Sequence, residues 1–177
     1  MKQRILVALS GASGVTLGSK LIAAIPPHIE CLVIETDGAK QVKEREFMRE
    51  YVLLDDSDIG ACVASGSFVC QAMAVVPCSM NTLAKIAHGI ADNLTTRAAS
   101  VFIKERRLLL LSPREMPFSA IALENMSKLS HLGVIISPPV AAYYAGIQTL
   151  EEMENFWVGK WLDILGIEHS LFHRWEG

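Results

Sequence analysis

The residues best suited to chemistry in this 177-residue chain are cations placed beside short apolar runs. Arg97 and Lys104 are seven residues apart, so a helix would carry both on one stripe together with Val101. Arg114 follows the apolar run 108–111, which has the length and composition of a buried strand. Ligands of open parallel sheets bind beyond the carboxyl ends of the strands. The pattern therefore predicts a local site for an anion.

A glycine turn, Ser10-Gly11-Ala12-Ser13-Gly14, lies between the first apolar run and a helical pattern. Backbone N–H groups and a hydroxyl at a helix N-terminus are suited to binding phosphate. The turn lacks the full GxGxxG pattern of dinucleotide-binding proteins, because only Gly11 and Gly14 are present. A nucleotide-like ligand with a single phosphate-binding turn is therefore expected, and a dinucleotide is not indicated.

Composition excludes several classes of protein. The net charge of -3 provides no global basic field for nucleic acid, so any anion site must be a local cluster. The apolar segments are too short to span a bilayer. The four cysteines form no CxxC pair and the five histidines have no zinc-like spacing. We expect a reduced, cytoplasmic protein with no metal site, no nucleic-acid partner and no membrane partner.

Strands alternate with helices along the chain. Strands are predicted at 5–9, 29–34, 72–76, 108–111 and 134–136. Helices are predicted at about 15–24, around 43–46, at 81–87, after Asn93 as the cap, at 119–132 and at 149–165. This alternation predicts right-handed βαβ units, hence an α/β fold with a parallel sheet and a single domain over residues 1–177.

The carboxyl ends of these strands deliver small, cationic and aromatic residues to one edge of the sheet. In order they are Gly11-Ala12-Ser13, Thr36, Pro77-Cys78-Ser79, Arg114-Glu115 and the loop 138–144. Cys78 has no histidine nearby in sequence, so we expect it to be a small buried side chain and not a nucleophile. Agreement among five strand ends favours a nucleotide-like ligand at this edge.

The closing helix carries more large apolar side chains than one sheet face needs. They are Phe156, Trp157, Trp161, Leu162, Ile164 and Leu165. We expect part of this helix, together with the helix of Arg97, to be buried against neighbouring subunits of an oligomer.

Taken together, these motifs resemble those of the flavin prenyltransferases of the UbiX/Pad type, a family formerly labelled aromatic acid decarboxylase. The matching segments are Ser10–Gly14, Ser65-Gly66-Ser67, Pro77-Cys78-Ser79 with Thr82, Asn93-Leu94 with Arg97, Lys104-Glu105-Arg106-Arg107, Pro113–Pro117, Leu123–Met126 and the loop 138–144. The resemblance covers nearly the whole chain, except for residues 47–64. Its most specific part is the Lys104–Arg107 block followed by Pro113-Arg114-Glu115.

The resemblance implies a flavodoxin-like Rossmann flavoprotein, a three-layer sandwich that assembles into a homo-oligomer, usually a dodecamer, with sites between subunits. It implies transfer of a dimethylallyl group from dimethylallyl phosphate to N5 and C6 of reduced FMN. The prenylated FMN would then serve a UbiD-type decarboxylase. The chain has no DDxxD-type aspartate pair, which favours a metal-independent reaction on a monophosphate.

The resemblance also implies roles for individual residues. FMN would contact Gly11, Ala12, Ser13, Thr36, Ser79, Met80, Asn81, Thr82 and Arg114. The phosphate substrate would contact Ser65, Gly66, Arg97, Lys104, Tyr144 and Lys160. Glu46, Glu115, Ser13 and Lys104 would be catalytic, with the two glutamates as the acid–base candidates. Two positions depart from the family pattern: Thr36 replaces a serine but keeps the hydroxyl, and Lys160 replaces an arginine and loses its bidentate fork.

Two other functions stay open on the sequence. The first is an FMN-dependent cysteine decarboxylase, which shares the fold but relies on a histidine at the start of a helix. Here His88 lies near the end of a predicted helix, so this signal is weak. The second is a noncatalytic flavin-binding subunit of a decarboxylase complex. Loss of the cation cluster or of Glu46 would favour that function, and both are present.

Overall fold

The computed structural model describes residues 3–11, 14–36 and 50–174. Six strands form one sheet: β1 (Arg4–Leu9), β2 (Glu30–Glu35), β3 (Val52–Asp55), β4 (Ala72–Cys78), β5 (Leu108–Pro113) and β6 (Ile135–Ile136). Every neighbouring pair is parallel, and the order across the sheet is β3-β2-β1-β4-β5-β6. The chain therefore reverses its direction of winding between β1 and β4, which makes their carboxyl ends the topological switch point.

Five α-helices are described: α1 (Val15–Ala24), α2 (Met80–Ala87), α3 (Leu94–Lys104), α4 (Ala120–His131) and α5 (Leu150–Ile164). Two single 3₁₀ turns lie at Cys62–Ala64 and Tyr143–Ala145. Within the described ranges, no helix has the length and apolar character needed to cross a membrane.

The helices cover both faces of the sheet. Along β1 the side chains alternate, so Leu6 and Ala8 face one core while Ile5, Val7 and Leu9 face the other. The first core is closed by α2, α3 and α4, and the second by α1 and α5. The predicted α/β domain with three layers and a parallel sheet is confirmed.

The five predicted strands are all present, with ends that differ by one or two residues. The predicted helix around residues 43–46 lies outside the described residues. The strand β3 was not predicted, because it is an edge strand with Val52 and Leu53 about half exposed. Such a strand shows no alternation of buried and exposed positions, and its pairing with β2 is a tertiary contact.

The apolar side chains of α5 are mostly buried within the chain itself. Trp161 and Leu162 are fully buried in the core shared with α1, and Phe156 is also buried. These three side chains therefore do not form a subunit surface, and the expectation that another part of α5 is buried against neighbouring subunits stays a prediction. Exposed large apolar side chains include Leu150 at the start of α5 and, outside that helix, Met116, Ile121, Leu123, Val140 and Tyr143.

The start of α3 is fixed to the end of β3. As predicted, Asn93 caps the helix, and its side chain accepts a hydrogen bond from the amide of Thr96 at 2.9 Å. The buried carboxylate of Asp56 accepts from the amide of Thr95 at 2.9 Å and from Asn93 Nδ2 at 2.8 Å. These contacts hold the first turn of the helix, which carries Arg97, against the carboxyl edge of the sheet.

Candidate active site at the carboxyl edge of the sheet

Ser10 joins the ends of β1 and β4 at the switch point. Its hydroxyl donates to the carbonyl oxygen of Pro77 at 2.9 Å and accepts from the amide of Ser79 at 2.8 Å. Ser10 is fully buried, so these bonds replace the water contacts that the hydroxyl has lost. They fix Gly11 beside the start of α2. Ser10 was not among the predicted site residues, although its place at the opening of a glycine turn is a visible signal.

The predicted cofactor residues Ser79, Met80, Asn81 and Thr82 form the N-terminal turn of α2. Ser79 caps this helix: its hydroxyl oxygen accepts from the amide of Thr82 at 3.1 Å and donates to Thr82 Oγ1 at 2.9 Å. The first amides of an α-helix have no partner within the helix, and the helix dipole favours an anion beside them. The turn can therefore contribute backbone donors to a phosphate.

Arg114 reaches from the end of β5 to the glycine turn. A Cβ atom placed on Gly14 would lie 3.5 Å from Arg114 Cδ, so the arginine stem lies against the backbone of that glycine. Gly14 has a φ of 100°, in the left-handed region that favours glycine. Arg114 is exposed and forms no ion pair with any residue in the described ranges. Its charge is therefore available to a ligand at this turn.

Gly18 allows α1 to approach the sheet closely beneath the turn. A Cβ atom at this position would collide with the carbonyl oxygen of Val76 and with Leu9 Cδ2. The helix therefore lies close to the ends of β1 and β4, and its N-terminus is held at the switch point. Gly18 was not among the predicted site residues. A third glycine after Gly11 and Gly14 was the available signal, because close packing of helix on strand is the role of the last glycine in nucleotide-binding turns.

Thr36 follows β2 at the same edge. Its amide donates to the carbonyl oxygen of Leu9 at 3.1 Å, which ties it to β1. Its Oγ1 is the only buried side-chain nitrogen or oxygen without a hydrogen-bond partner in the described part of the chain. Burying a hydroxyl group unpaired costs about 1–3 kcal/mol. We therefore expect a ligand to supply the missing partner.

Three predicted site residues, Ala12, Ser13 and Glu46, lie outside the described residues, and their roles stay predictions. Glu115 is exposed, and its Oε1 accepts a hydrogen bond from the amide of Met116 at 3.1 Å. It forms no salt bridge with the adjacent Arg114. Both charges therefore remain available to substrates at this edge.

Lys160 lies on α5 and Tyr144 lies in the loop before that helix. The ring of Tyr144 meets the ring of Phe156 edge-on, with centroids 6.2 Å apart. Lys160 is exposed one helical turn after Phe156, hence on the same side of the helix. Trp157 Nε1 donates to the carbonyl oxygen of Val140 at 2.7 Å and ties the loop to α5. Tyr144 therefore contacts α5 one turn before Lys160, whose ammonium group lies 4.0 Å from Asp163 Oδ2.

Three other predicted substrate residues lie at the opposite edge of the sheet. Lys104 ends α3 just before β5 begins, and Ser65 and Gly66 lie shortly before β4. A six-residue strand such as β5 is about 20 Å long. Lys104 is therefore about one strand length from Arg114, which follows the other end of β5. Within one chain the structure does not bring these three residues to the carboxyl edge.

Arg97 lies nearer to the carboxyl edge than Lys104, because the start of α3 is tied to the end of β3. It is exposed on the first turn of α3, and its Cα is about 10 Å from that of Lys104 along the helix axis. The expected stripe of Arg97, Val101 and Lys104 is only partly present. Val101 is buried in the core while both cations face solvent.

Cys78 is fully buried, and burial raises the pKa of its thiol to about 12. The thiol is therefore neutral near neutral pH and packs as a small apolar group, as the sequence predicts. No cluster of three or more potential metal ligands occurs among the residues that the structure describes.

Known proteins are similar to this chain over its full length and theirs. The Flavoprotein family model matches residues 1–162. Flavin prenyltransferase UbiX of Campylobacter jejuni is 45% identical over 184 residues, which cover 98% of this chain and 98% of the relative. The structure of AnUbiX (PadA1) in complex with FMN and dimethylallyl pyrophosphate has a TM-score of 0.93 and 36% identity, and the match covers 100% of this chain and 99% of that one.

A second solved structure is that of a dodecameric FMN-dependent UbiX-like decarboxylase from Escherichia coli O157:H7. It has a TM-score of 0.92 and 38% identity, and the match covers 99% of this chain and 100% of that one. Both structures are more than 35% identical to this chain over the full length of both chains, and both have the same fold. This similarity agrees with the motifs at the carboxyl edge. This chain therefore belongs to the flavoprotein family and, within it, to the flavin prenyltransferases of the UbiX type.

Proposed function

We propose that this protein transfers a dimethylallyl group from dimethylallyl phosphate to N5 and C6 of reduced FMN, without a metal ion. Membership of the flavin prenyltransferase family supports the reaction class. The observation that carries the proposal for this chain is the arrangement at the switch point. There, Arg114 lies against Gly14 and the buried hydroxyl of Thr36 lacks a partner among the described residues.

The residues at this edge fit a flavin mononucleotide. The first turn of α2 and the glycine turn offer backbone N–H groups to one phosphate, and Arg114 offers a counter-charge. Thr36 offers a hydroxyl that needs a partner. One phosphate-binding turn without a second half matches a mononucleotide and not a dinucleotide. Reduced FMN, when bound, supplies the electron-rich nitrogen that attacks the prenyl group.

The cations of the chain are suited to the leaving phosphate. Cleavage of the allylic C–O bond leaves its electron pair on the phosphate, so catalysis needs positive charge aimed at that group. Arg97, Lys104 and Lys160 supply this charge, and Tyr144 supplies a hydroxyl donor. Closing the second bond at C6 would require a proton donor for the alkene of the prenyl group and an acceptor for the proton that leaves C6. Glu46 and Glu115 are the proposed acid–base groups for these proton transfers, and Ser13 is a further proposed catalytic residue.

The separation of these residues supports an oligomer with shared sites. One ligand can contact both Arg114 and Lys104 only across a subunit boundary, because the two are about a strand length apart in one chain. A UbiX-like relative is dodecameric, and we infer the same assembly here. We further propose that the product serves a UbiD-type decarboxylase and that the protein is cytoplasmic.

The reaction can be tested by anaerobic incubation of the protein with reduced FMN and dimethylallyl phosphate. The expected result is a flavin heavier by one isoprene unit, with a changed absorbance spectrum. Addition of a chelator is expected to leave the rate unchanged. A flavin recovered with unchanged mass would contradict the proposal, as would a strict requirement for added magnesium.

Shared sites can be tested by mixing inactive subunits. Arg114→Ala removes one contributor and Lys104→Ala the other, so each variant alone is expected to lose most activity. Co-expressed in one oligomer, they should restore about a quarter of the sites, because random assembly pairs intact Arg114 with intact Lys104 at that frequency. Failure of the mixture to recover any activity, while both variants still assemble, would contradict sharing between subunits.

A further inference from the structure

We infer that Glu105 and Arg107 are positioning residues for Lys104, which they hold beside the turn 65–67 so that it can receive the phosphate of the prenyl donor. The inference rests on the proposed function, in which Lys104 binds that phosphate. Glu105 and Arg107 have no role in the proposed chemistry itself.

Glu105 connects Lys104 to the turn. Lys104 Nζ lies 3.1 Å from Glu105 Oε1. The same carboxyl group lies over Gly66, because a Cβ atom there would be 2.5 Å from Oε1 and 3.0 Å from the carboxyl carbon. The carboxylate can occupy this position only because residue 66 has no side chain. The ammonium group of Lys104 is thereby held close to the backbone of the turn.

Arg107 fixes the turn itself. Its guanidinium donates through Nη1 to the carbonyl oxygen of Phe68 at 2.8 Å and through Nη2 to the carbonyl oxygen of Gly66. The same group lies 5.9 Å from the ring centroid of Phe102 on α3. A planar guanidinium can donate to two carbonyl oxygens at once, and the ammonium group of a lysine cannot reproduce this geometry. Arg107 therefore fixes the turn to the helix whose last residue is Lys104.

Arg106 lies where the chain reverses between these two residues. It has a φ of 53°, and its amide donates to the carbonyl oxygen of Ile103 at 3.1 Å. The amide of Arg107 donates to the carbonyl oxygen of Phe102 at 2.9 Å, which closes the helix. The helix thus ends directly after Lys104 and Glu105, and the reversal directs Arg107 back to the turn. The four-residue block is therefore one local structure.

The exposed ion pair between Lys104 and Glu105 is by itself weak support for a positioning role. Lys104 and Glu105 have exposed side chains, and pairs of this kind contribute at most about 1 kcal/mol. The specific observations are the fit of the carboxylate over Gly66 and the two carbonyl bonds of Arg107. Both concern the place of Lys104 relative to the turn, so their loss should affect substrate capture more than the flavin.

The first experiment replaces Glu105 with glutamine, which keeps the shape and removes the charge. We expect Glu105→Gln to raise the KM for dimethylallyl phosphate about three- to fivefold, with FMN affinity and melting temperature unchanged. The control is Glu154→Gln on the other face of the sheet, where the carboxylate pairs with Lys20 at 2.6 Å. The control should leave the KM at the wild-type value. A wild-type KM in Glu105→Gln would overturn the inference.

The second experiment displaces the same carboxylate without changing any charge. In Gly66→Ala the new methyl group would push aside the flexible end of Glu105, so the fold is expected to stay intact. The double variant Gly66→Ala/Glu105→Gln should have a KM no higher than Gly66→Ala alone, because both changes remove one contact. Fully additive effects would overturn the inference. Arg107→Lys should raise the KM further and also lower the melting temperature.

Product formation by the wild-type protein tests the proposed function independently of the positioning role of Glu105 and Arg107. If the wild-type protein forms prenylated FMN and the variants keep a normal KM, the positioning role alone is wrong. If the wild-type protein forms no product, the proposed function fails and the inference fails with it.

Discussion

The two edges of the sheet differ in what their polar groups contact. At the amino edge, Arg107 donates to two backbone carbonyl groups and Lys104 pairs with Glu105. At the carboxyl edge, Arg114 has no ion pair and Thr36 Oγ1 has no hydrogen-bond partner within the described ranges. The first edge pairs these groups within the chain, whereas the second leaves two groups without a partner among the described residues, and a ligand can supply one.

This difference indicates what each edge contributes. A polar group paired inside the protein contributes to the stability of the unliganded fold, while an unpaired one gains free energy only when ligand binds. Substitutions at the amino edge should therefore lower stability or misplace Lys104. Substitutions at the carboxyl edge should weaken flavin binding and leave stability equal or higher.

The largest expected effect is that of Arg114→Ala on FMN affinity. Loss of a charged hydrogen bond to phosphate costs about 2–3 kcal/mol, so the Kd for FMN should rise about 30- to 150-fold with little change in melting temperature. Arg107→Ala is the matched control and should show the reverse, a normal Kd with about 2 kcal/mol less stability. Titration calorimetry and thermal melts measure both. Equal effects of the two variants on FMN affinity and on stability would contradict the proposed difference between the edges.

Gly18→Ala should affect both stability and binding, because it lies beneath the switch point. The added methyl group collides with the backbone at Val76, so α1 must move away from the sheet at a cost of about 1–3 kcal/mol. Weaker FMN binding should follow, since the N-terminus of α1 moves with the helix. Ser19→Ala, the next residue along α1, should change neither quantity by more than about 0.5 kcal/mol. A melting temperature of Gly18→Ala equal to the wild type would contradict the close packing.

Thr36→Val should change stability and binding in opposite directions. It removes the unpaired buried hydroxyl, so the unliganded protein should gain about 1 kcal/mol, while the Kd for FMN should rise about fivefold. Thr36→Ser keeps the hydroxyl and should bind FMN like the wild type. If Thr36→Val bound FMN normally, the unpaired oxygen would have no part in the site.

The smallest expected effect concerns the cysteines. Burial raises the pKa of Cys70 to about 11 and that of Cys78 to about 12, so neither is a thiolate near pH 8. Only Cys62 is exposed, and the native protein should therefore take up one iodoacetamide adduct per chain without loss of activity. Mass spectrometry of the intact chain counts the adducts. Rapid labelling of Cys78 would show that the carboxyl edge is more open than the structure indicates.

Much of the fold could be predicted because its signals are local. Apolar runs bounded by glycine, proline or charge marked five of the strands, and Asn93 marked the start of α3 by its capping role. The edge strand β3 could not be predicted in this way, because Val52 and Leu53 are exposed and only the contact with β2 makes the segment a strand.

The candidate site was only partly predictable. Residues that directly follow strands, such as Thr36 and Arg114, were placed at the right edge because all strands of a parallel sheet end on the same side. The buried hydroxyl of Ser10 between two strands was not predicted, because its partners Pro77 and Ser79 are far away in sequence. The contact between Gly66 and Glu105 was not predicted for the same reason.

The sequence by itself determined the alternation of strands and helices, the family motifs and the types of residue available for phosphate binding. Only the tertiary structure decided which of those residues share an edge. A helix between parallel strands must run back across the sheet, so α3 carries Lys104 to the edge opposite Arg114 although the two are only ten residues apart. The edge of the sheet at which a residue lies is decided by long-range packing. It cannot be read from the number of residues between two positions in the sequence.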